Sequence, residues 1–104
     1  MIAARRGEVW LIDLGMAAKI RPGVVMSVPL QDPDRALVTV VPHTTTLRGT
    51  RFEVQVPARF LKAGAFDAQG IVTVPTVRLV RQLGTLSAPH LEQVAVGVRL
   101  WLGL

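Results

Sequence analysis

The apolar segments of this 104-residue chain are short, and turn residues separate them. Three of them, Glu8–Leu14, Val24–Val28 and Leu37–Val41, are rich in β-formers, which is typical of short strands. Phe52–Val56 alternates apolar and polar residues, so we expect one face of this strand to be buried. Long helical patterns do not occur between these segments, and parallel strands need such crossovers. The pattern therefore predicts a mainly antiparallel sheet.

The second half of the chain predicts further strands and one helix. Ile71–Val80 is rich in β-formers but contains Pro75, which predicts an edge position, a bulge or a break between two strands. Phe60–Ala68 predicts a turn or a single helical turn. A helix is expected from Ser87, a suitable N-cap, to Gly103. The apolar residues at helical spacing are Leu91, Val94, Ala95, Val98, Trp101 and Leu102.

These elements predict a single domain over residues 1–104, mainly β with a C-terminal helix. A small β-barrel packed against the helix is expected, because closure removes exposed strand edges. The apolar stripe of the helix has two interpretations. A lone stripe favours burial on the barrel, whereas the apolar side chains on more than one face of Arg99–Leu102 would suit a dimer contact.

Composition excludes several classes of protein. Hydrophobic residues make up 50% of the chain and charged residues 18%, which excludes a disordered chain. The absence of cysteine excludes disulfides and thiolate chemistry, and two histidines are too few for a nitrogen–sulfur zinc site. We therefore expect no metal and no cofactor. No secretory signal or membrane span is visible in the sequence, so we expect a cytoplasmic protein without membrane association.

The net charge of +5 favours a polyanionic partner, either a nucleic acid or an acidic protein segment. Two segments concentrate suitable groups: Lys19–Gly23, a cationic turn entering a strand, and Pro42–Arg51, which combines three consecutive threonines with two arginines. Guanidinium groups match phosphate oxygens, and hydroxyls add uncharged donors and acceptors. An ordinary structural interpretation stays open, because threonine also forms strands and arginine also solvates loops.

The same segments resemble a known family. Arg6–Leu14 resembles the first strand of MazF/PemK-type toxins, and Arg21–Ser27 resembles their second strand, which begins with Arg-Pro. Val40–Gly49 and the following Phe52–Val54 resemble the third strand with its threonine-bearing end and the next strand. Leu83–Leu104 resembles the usual C-terminal ending. The resemblance covers nearly the whole chain in order, which makes the combination more specific than any one motif.

This resemblance implies an SH3-like barrel, a homodimer and the toxin of a type II toxin–antitoxin system. The implied activity is metal-independent, sequence-specific cleavage of single-stranded RNA, restrained by an antitoxin whose acidic tail covers the RNA site. Two alternatives stay open: a relative that binds RNA or the antitoxin without cleaving, and a toxin of the same fold that inhibits a protein such as a topoisomerase. The short Gly15–Ile20 turn, and Pro75-Thr76 where relatives carry an acidic residue and glutamine, motivate the first alternative.

By resemblance, Arg21 matches the catalytic arginine of the family and Thr44 its catalytic threonine. The implied reaction is attack of the RNA 2′-hydroxyl on the adjacent phosphorus, with Arg21 stabilising the added negative charge and Thr44 orienting the phosphate. His43 could move a proton, because an ordinary histidine has a pKa of about 6.5, but packing at the strand end is the favoured interpretation. The predicted RNA-binding residues are Lys19, His43, Thr46, Arg48, Arg51 and Arg78.

Overall fold

The computed structural model describes residues 3–15 and 20–104, which form an antiparallel sheet and one α-helix. The strands are β1 (Glu8–Asp13), β2 (Ile20–Val25), β3 (Leu37–Thr44), β4 (Glu53–Val54), β5 (Ala65–Asp67), β6 (Val72–Pro75) and β7 (Leu79–Thr85). The helix α1 spans Ala88–Leu102, and short 3-10 turns span Ala68–Gly70 and Thr76–Arg78. Within the described part of the chain, no helix has the length and apolar character needed to cross a membrane.

The strands are arranged in the order β4-β5-β3-β2-β1-β7, and β6 pairs with β3 beside this path. Every pairing is antiparallel. In the described residues no ladder joins the end strands β4 and β7. The expected mainly β fold with a C-terminal helix is confirmed, in a barrel-like form whose hydrogen bonding does not close.

Both faces of the central strands are buried, because successive residues of a strand point to opposite sides. One apolar cluster lies beneath α1, and the other lies between β1, β2, β3 and β7. The first consists of Val9, Val24, Val41, Val56, Phe66, Leu86 and Val94. The second consists of Ile12, Val25, Val38, Val40 and Leu79. The run of branched residues in β2 and β3 is therefore used on both faces.

The second strand differs from the predicted Val24–Val28. It begins at Ile20, because Arg21 and Pro22 already pair with β1. The ladder between β2 and β3 starts at Gly23, because Pro22 has no backbone N–H to donate. Val28 lies outside the strand and is exposed. The prediction was wrong at both ends, and the correction places Arg21 inside the sheet.

The segment Phe60–Ala68 was expected to form a turn or a single helical turn, and this was wrong, because it contains a strand. It contains β5, which lies between β3 and β4, pairs with both strands and contributes the buried Ala65 and Phe66 to the core. Conversely, the predicted strand Phe52–Val56 is reduced to β4, although Phe52 and Val56 are buried as the alternation predicted.

Proline interrupts the strand-rich segment as expected. The strand β6 ends at Pro75, the 3-10 turn Thr76–Arg78 follows, and β7 then extends to Thr85. Of the three possibilities, a break between two strands is therefore confirmed.

The helix begins and ends where its sequence signals predicted. The Ser87 hydroxyl accepts the N–H of His90 at 3.4 Å, and Gly103 ends the helix in the left-handed region with a φ of 73°. Val94 is buried on the sheet, whereas Trp101 in the last turn is 42% exposed. Burial therefore accounts for the middle of the apolar stripe but not for its C-terminal end.

Candidate active site

The pairing of β2 with β3 brings Arg21 and Thr44 together. The ladder begins with Gly23 opposite Pro42, and Arg21 and Thr44 each lie two residues beyond that pair on their own strands. Both residues line one cleft of about 350 Å³. The sheet register is thus the reason why residues far apart in sequence share a site.

This first cleft gathers five of the predicted site residues between the ends of β2 and β3 and the β4–β5 pair. It is lined by Leu14, Arg21, Pro42, His43, Thr44, Thr46, Arg48, Glu53 and Asp67. Two guanidinium groups and two hydroxyls therefore line the same concavity as two carboxylates. Glu53 and Asp67 face each other in the β4–β5 register, and sequence reasoning identified neither of them.

The Thr44 side chain is held by local hydrogen bonds. Its Oγ1 accepts the N–H of Thr46 at 3.1 Å and donates to the Thr46 carbonyl at 3.3 Å. Gly64 lies so close to the backbone of Thr44 that any Cβ there would collide with its carbonyl oxygen. These contacts hold Thr44 in place at the end of its strand.

A carboxylate holds the loop after Thr46. The Glu53 side chain accepts the backbone N–H groups of Arg48, Gly49 and Thr50 at 2.9, 2.8 and 3.2 Å. These hydrogen bonds stabilise the ionised carboxylate and therefore lower the pKa of Glu53, and the bond from the Arg48 N–H has the largest effect. The ionised carboxylate therefore orders the segment that carries Arg48 into the cleft. The alternation of Phe52–Val56 predicted that Glu53 lies on the polar face of a strand. It did not predict that the loop containing Arg48 folds back onto this carboxylate.

His43 packs into the core behind the cleft. Its side chain is 4% exposed and meets the Phe66 ring edge to face, with 5.0 Å between ring centroids. Burial lowers the pKa of His43, so the neutral imidazole is favoured. Because β3 continues through Thr44, His43 points to the opposite face, as expected from strand alternation.

A second cleft of about 500 Å³ adjoins the first and shares Arg21, His43, Thr44 and Thr46 with it. Its other lining residues are Leu11, Ile20, Pro22, Thr45, Phe60, Leu61, Lys62, Arg81 and Leu83. Lys62 and Arg81 were missed by sequence reasoning. Arg81 reaches the site because β7 pairs with β1, where it is the partner of Leu11, and no local pattern reveals that pairing.

Residues 5–102 match the family model described as PemK-like, MazF-like toxin of type II toxin-antitoxin system. The chain belongs to this family. It is 31% identical over 115 residues to Endoribonuclease MazF9 of Mycobacterium tuberculosis, covering 96% of this chain and 97% of that protein. Its fold is also similar to two solved structures. One, an endoribonuclease in complex with its cognate antitoxin from mycobacterial species, has a TM-score of 0.83 and 28% identity over 98% of this chain and 97% of that one. The other, Mycobacterium tuberculosis toxin MazF-mt6, has a TM-score of 0.78 and 29% identity over 93% and 97%.

Two predicted RNA-binding residues of this MazF-like chain line neither cleft. The Arg51 guanidinium lies 4.7 Å from the centroid of the Phe52 ring. Arg78 pairs with Asp13 at 3.8 Å, and both side chains are nearly half exposed. The structure thus gives each of these arginines an intramolecular partner. Lys19, the remaining predicted residue, lies outside the described residues.

Trp10 packs against the core and not into the candidate site. The ring is half-buried against the second apolar cluster, and its Nε1 donates to a Glu8 carboxylate oxygen at 3.1 Å. It does not line either of the two clefts described above.

Proposed function

We propose that this toxin is an endoribonuclease that cleaves single-stranded RNA without a metal ion, with Arg21 and Thr44 at its catalytic centre. The observation that carries this proposal is the shared cleft of Arg21 and Thr44, with Thr46 and Arg48 on the same wall. Hydroxyl and guanidinium groups that converge in one concavity suit a phosphodiester. The relatives named as endoribonucleases support the same activity.

In the proposed reaction, the 2′-oxygen attacks the adjacent phosphorus and the bond to the 5′-oxygen breaks. The products are a 2′,3′-cyclic phosphate and a free 5′-hydroxyl. Negative charge accumulates on the phosphoryl oxygens, where Arg21 supplies a permanent positive charge, because a guanidinium stays protonated in proteins. The Thr44 hydroxyl accepts the Thr46 N–H and, when RNA binds, turns its proton from the Thr46 carbonyl to a phosphoryl oxygen. Arg48 adds a second cation on the same wall.

The attacking hydroxyl must lose a proton, and the leaving oxygen must gain one. Three titratable carboxyl or imidazole groups line the cleft: Glu53, Asp67 and His43. The Glu53 oxygens already accept three backbone N–H groups, so this residue acts in positioning. Asp67 accepts one N–H, that of Gln69, through Oδ1. Asp67 is therefore assigned to take the proton of the 2′-hydroxyl and to return it to the leaving 5′-oxygen, because His43 is buried behind the cleft against Phe66.

We also propose that the toxin acts in the cytoplasm as a homodimer and is held inactive by an antitoxin with an acidic segment. A segment of carboxylates would be attracted to the cations that line the two clefts, and it would compete directly with RNA. The exposed Trp101 and Leu104 at the end of the helix offer an apolar surface for contact with another subunit.

The test is cleavage of a long single-stranded RNA in excess chelator by the wild type and by Arg21→Ala. We expect discrete fragments with 5′-hydroxyl ends from the wild type and a loss of at least about 100-fold in the variant. Circular dichroism checks that the variant is folded. Arg35→Ala removes an exposed arginine before β3, at the opposite end from Thr44, and should cleave normally.

Two results would contradict this proposal. A fully active, folded Arg21→Ala protein would show that Arg21 is not at the catalytic centre. Wild-type protein that leaves several diverse RNAs intact would favour a relative that binds without cleaving.

A further inference from the structure

We propose that His43 is a positioning residue, which holds Thr44 in place from the core side of the sheet by filling the space beside Phe66 and Gly64. This inference rests on the proposed ribonuclease function. His43 directly precedes Thr44 at the end of β3, and the two side chains point to opposite faces of the strand. Thr44 lines the first cleft, called the catalytic cleft below, together with Arg21. His43 therefore acts on the reaction through Thr44.

The imidazole is enclosed by a neighbouring strand and by the loop before it. His43 is 4% exposed, so it offers RNA little surface even though it lines both clefts. Its ring meets the buried Phe66 ring edge to face, with 5.0 Å between centroids and 74° between planes. A Cβ built on Gly64 would lie 2.9 Å from His43 Cε1, so the loop also packs closely against the imidazole.

The same contacts fix the backbone of Thr44. In the ladder between β3 and β5, His43 is opposite Phe66 and Thr44 is opposite Ala65. A Cβ on Gly64 would collide with the Thr44 carbonyl oxygen as well as approach the imidazole. Gly64 therefore packs against both residues with no space to spare. If the imidazole were removed, the end of β3 would relax toward the cavity, and the Thr44 hydroxyl would move with its backbone.

The space around His43 suits a neutral ring. Burial lowers the pKa of the imidazole from its ordinary value of about 6.5. The charged side chains that line the two clefts with it are four cations and two carboxylates: Arg21, Arg48, Lys62, Arg81, Glu53 and Asp67. An imidazolium would lose its water and add charge to a region with more cations than anions. The packing is therefore complete above the ordinary pKa of histidine, and it is lost as the pH falls through the lowered pKa of the folded protein.

Two substitutions separate positioning from proton transfer. His43→Ala removes the ring, so kcat for RNA cleavage should fall about 10- to 100-fold while KM stays unchanged, because a displacement of about 1 Å costs that much. His43→Leu supplies an apolar side chain of similar volume that cannot carry a proton, so kcat at neutral pH should stay near the wild-type value. Equal losses in the two variants, or an unchanged kcat in His43→Ala, would overturn the proposal.

Val38→Ala is the matched control. It truncates a buried side chain of the same strand, near the end opposite Thr44. The change should lower Tm and leave kcat unaltered, with circular dichroism confirming that each variant is folded at the assay temperature. A loss of kcat as large as that of His43→Ala would show that loss of core packing in general, and not displacement of Thr44, slows the reaction, and it would overturn the proposal.

The pH–rate profile gives a second readout. Wild-type kcat should contain an acidic loss that His43→Leu lacks, because leucine cannot be protonated. Glu53 and Asp67 are the same in both proteins, so the difference between the two profiles belongs to His43. Superimposable profiles would contradict the proposal.

Nuclear magnetic resonance tests the inference without cleavage. As the pH falls, the Thr44 methyl resonance of the wild type should shift with the same midpoint as His43 Hε1, and this midpoint should lie below about 6.5. A protein that cleaves no RNA but shows this coupling would reject the proposed ribonuclease function and keep the positioning of Thr44 by His43. A Thr44 resonance that stays fixed while His43 titrates would overturn the positioning, whatever the activity.

Discussion

At the scale of single residues, Glu53 controls the loop that forms one wall of the catalytic cleft. Its carboxylate accepts three consecutive backbone N–H groups, and an amide in its place offers one acceptor oxygen instead of two. Glu53→Gln should therefore loosen the loop that carries Arg48 and lower kcat/KM for RNA cleavage about 10- to 100-fold, because misplacement of about 1 Å costs that much. Steady-state cleavage at neutral pH measures the effect.

The control for this variant is Glu92→Gln on the exposed side of the helix. Glu92 pairs with Arg99 at 2.7 Å, and the change should leave cleavage unaltered. Equal activity of Glu53→Gln and the wild type would show that the loop does not depend on the carboxylate.

The lowered pKa of Glu53 predicts a pH dependence with a definite sign. The ionised carboxylate makes the loop contacts, so their contribution is complete above the ordinary pKa of a glutamate. It is lost as the pH falls through the lowered pKa of the folded protein. Wild-type activity should contain this acidic loss and Glu53→Gln should lack it, which pH–rate profiles of the two proteins would reveal. Parallel profiles would assign the acidic loss to another group.

The residues predicted for the site came from the family resemblance and from the arginine and threonine clusters of two segments. Arg21, Thr44, Thr46 and Arg48 were predicted for the site and share one cleft. Arg81 was missed, because it reaches the site only through a pairing of strands that are distant in sequence.

At the scale of whole elements, Gly97 sets how closely the helix approaches the sheet. A Cβ at this position would lie 2.9 Å from Val54 Cγ2 and 3.4 Å from the Ala68 Cβ. In an isolated helix, replacing glycine would be stabilising, but here the space is taken. Gly97→Val should therefore lower the free energy of unfolding by about 1–3 kcal/mol, measured by urea denaturation.

Gln93→Val places the same side chain on the exposed face of the same helix. Away from such packing, a substitution usually changes stability by about 0.5 kcal/mol or less. Equal stabilities of Gly97→Val and Gln93→Val would mean that the helix does not depend on the close approach at Gly97.

Elements with strong local signals were predicted well, and elements defined by pairing were not. Ser87 and Gly103 determine the helix ends through their own side-chain and backbone chemistry. The strand β5 has only three residues, too few for a periodic pattern, and exists because Phe66 pairs with both His43 and Val54. The early start of β2 has the same origin, since pairing with β1 holds Arg21 and Pro22 in the ladder.

At the scale of the whole molecule, the fold gathers four of the twelve lysine and arginine side chains in one region. Four cationic side chains of the described residues line the two adjoining clefts: Arg21, Arg48, Lys62 and Arg81. They come from different strands and loops, so only the complete fold assembles them. A molecule that binds RNA through this region releases condensed counterions from each phosphate it neutralises.

This arrangement predicts the salt dependence of RNA binding. For single strands, the logarithm of the binding constant falls with the logarithm of salt concentration with a slope of about −0.7 per neutralised phosphate. Four contacts predict a slope of about −3, and Arg81→Ala should make it shallower by about 0.7. Fluorescence anisotropy with a 2′-O-methyl oligonucleotide measures the slope without cleavage.

Arg35→Ala has the same net charge as Arg81→Ala but leaves the clefts intact, so its slope should match the wild type. Equal slopes for the two variants would mean that overall charge, rather than the cations of the clefts, binds the RNA backbone.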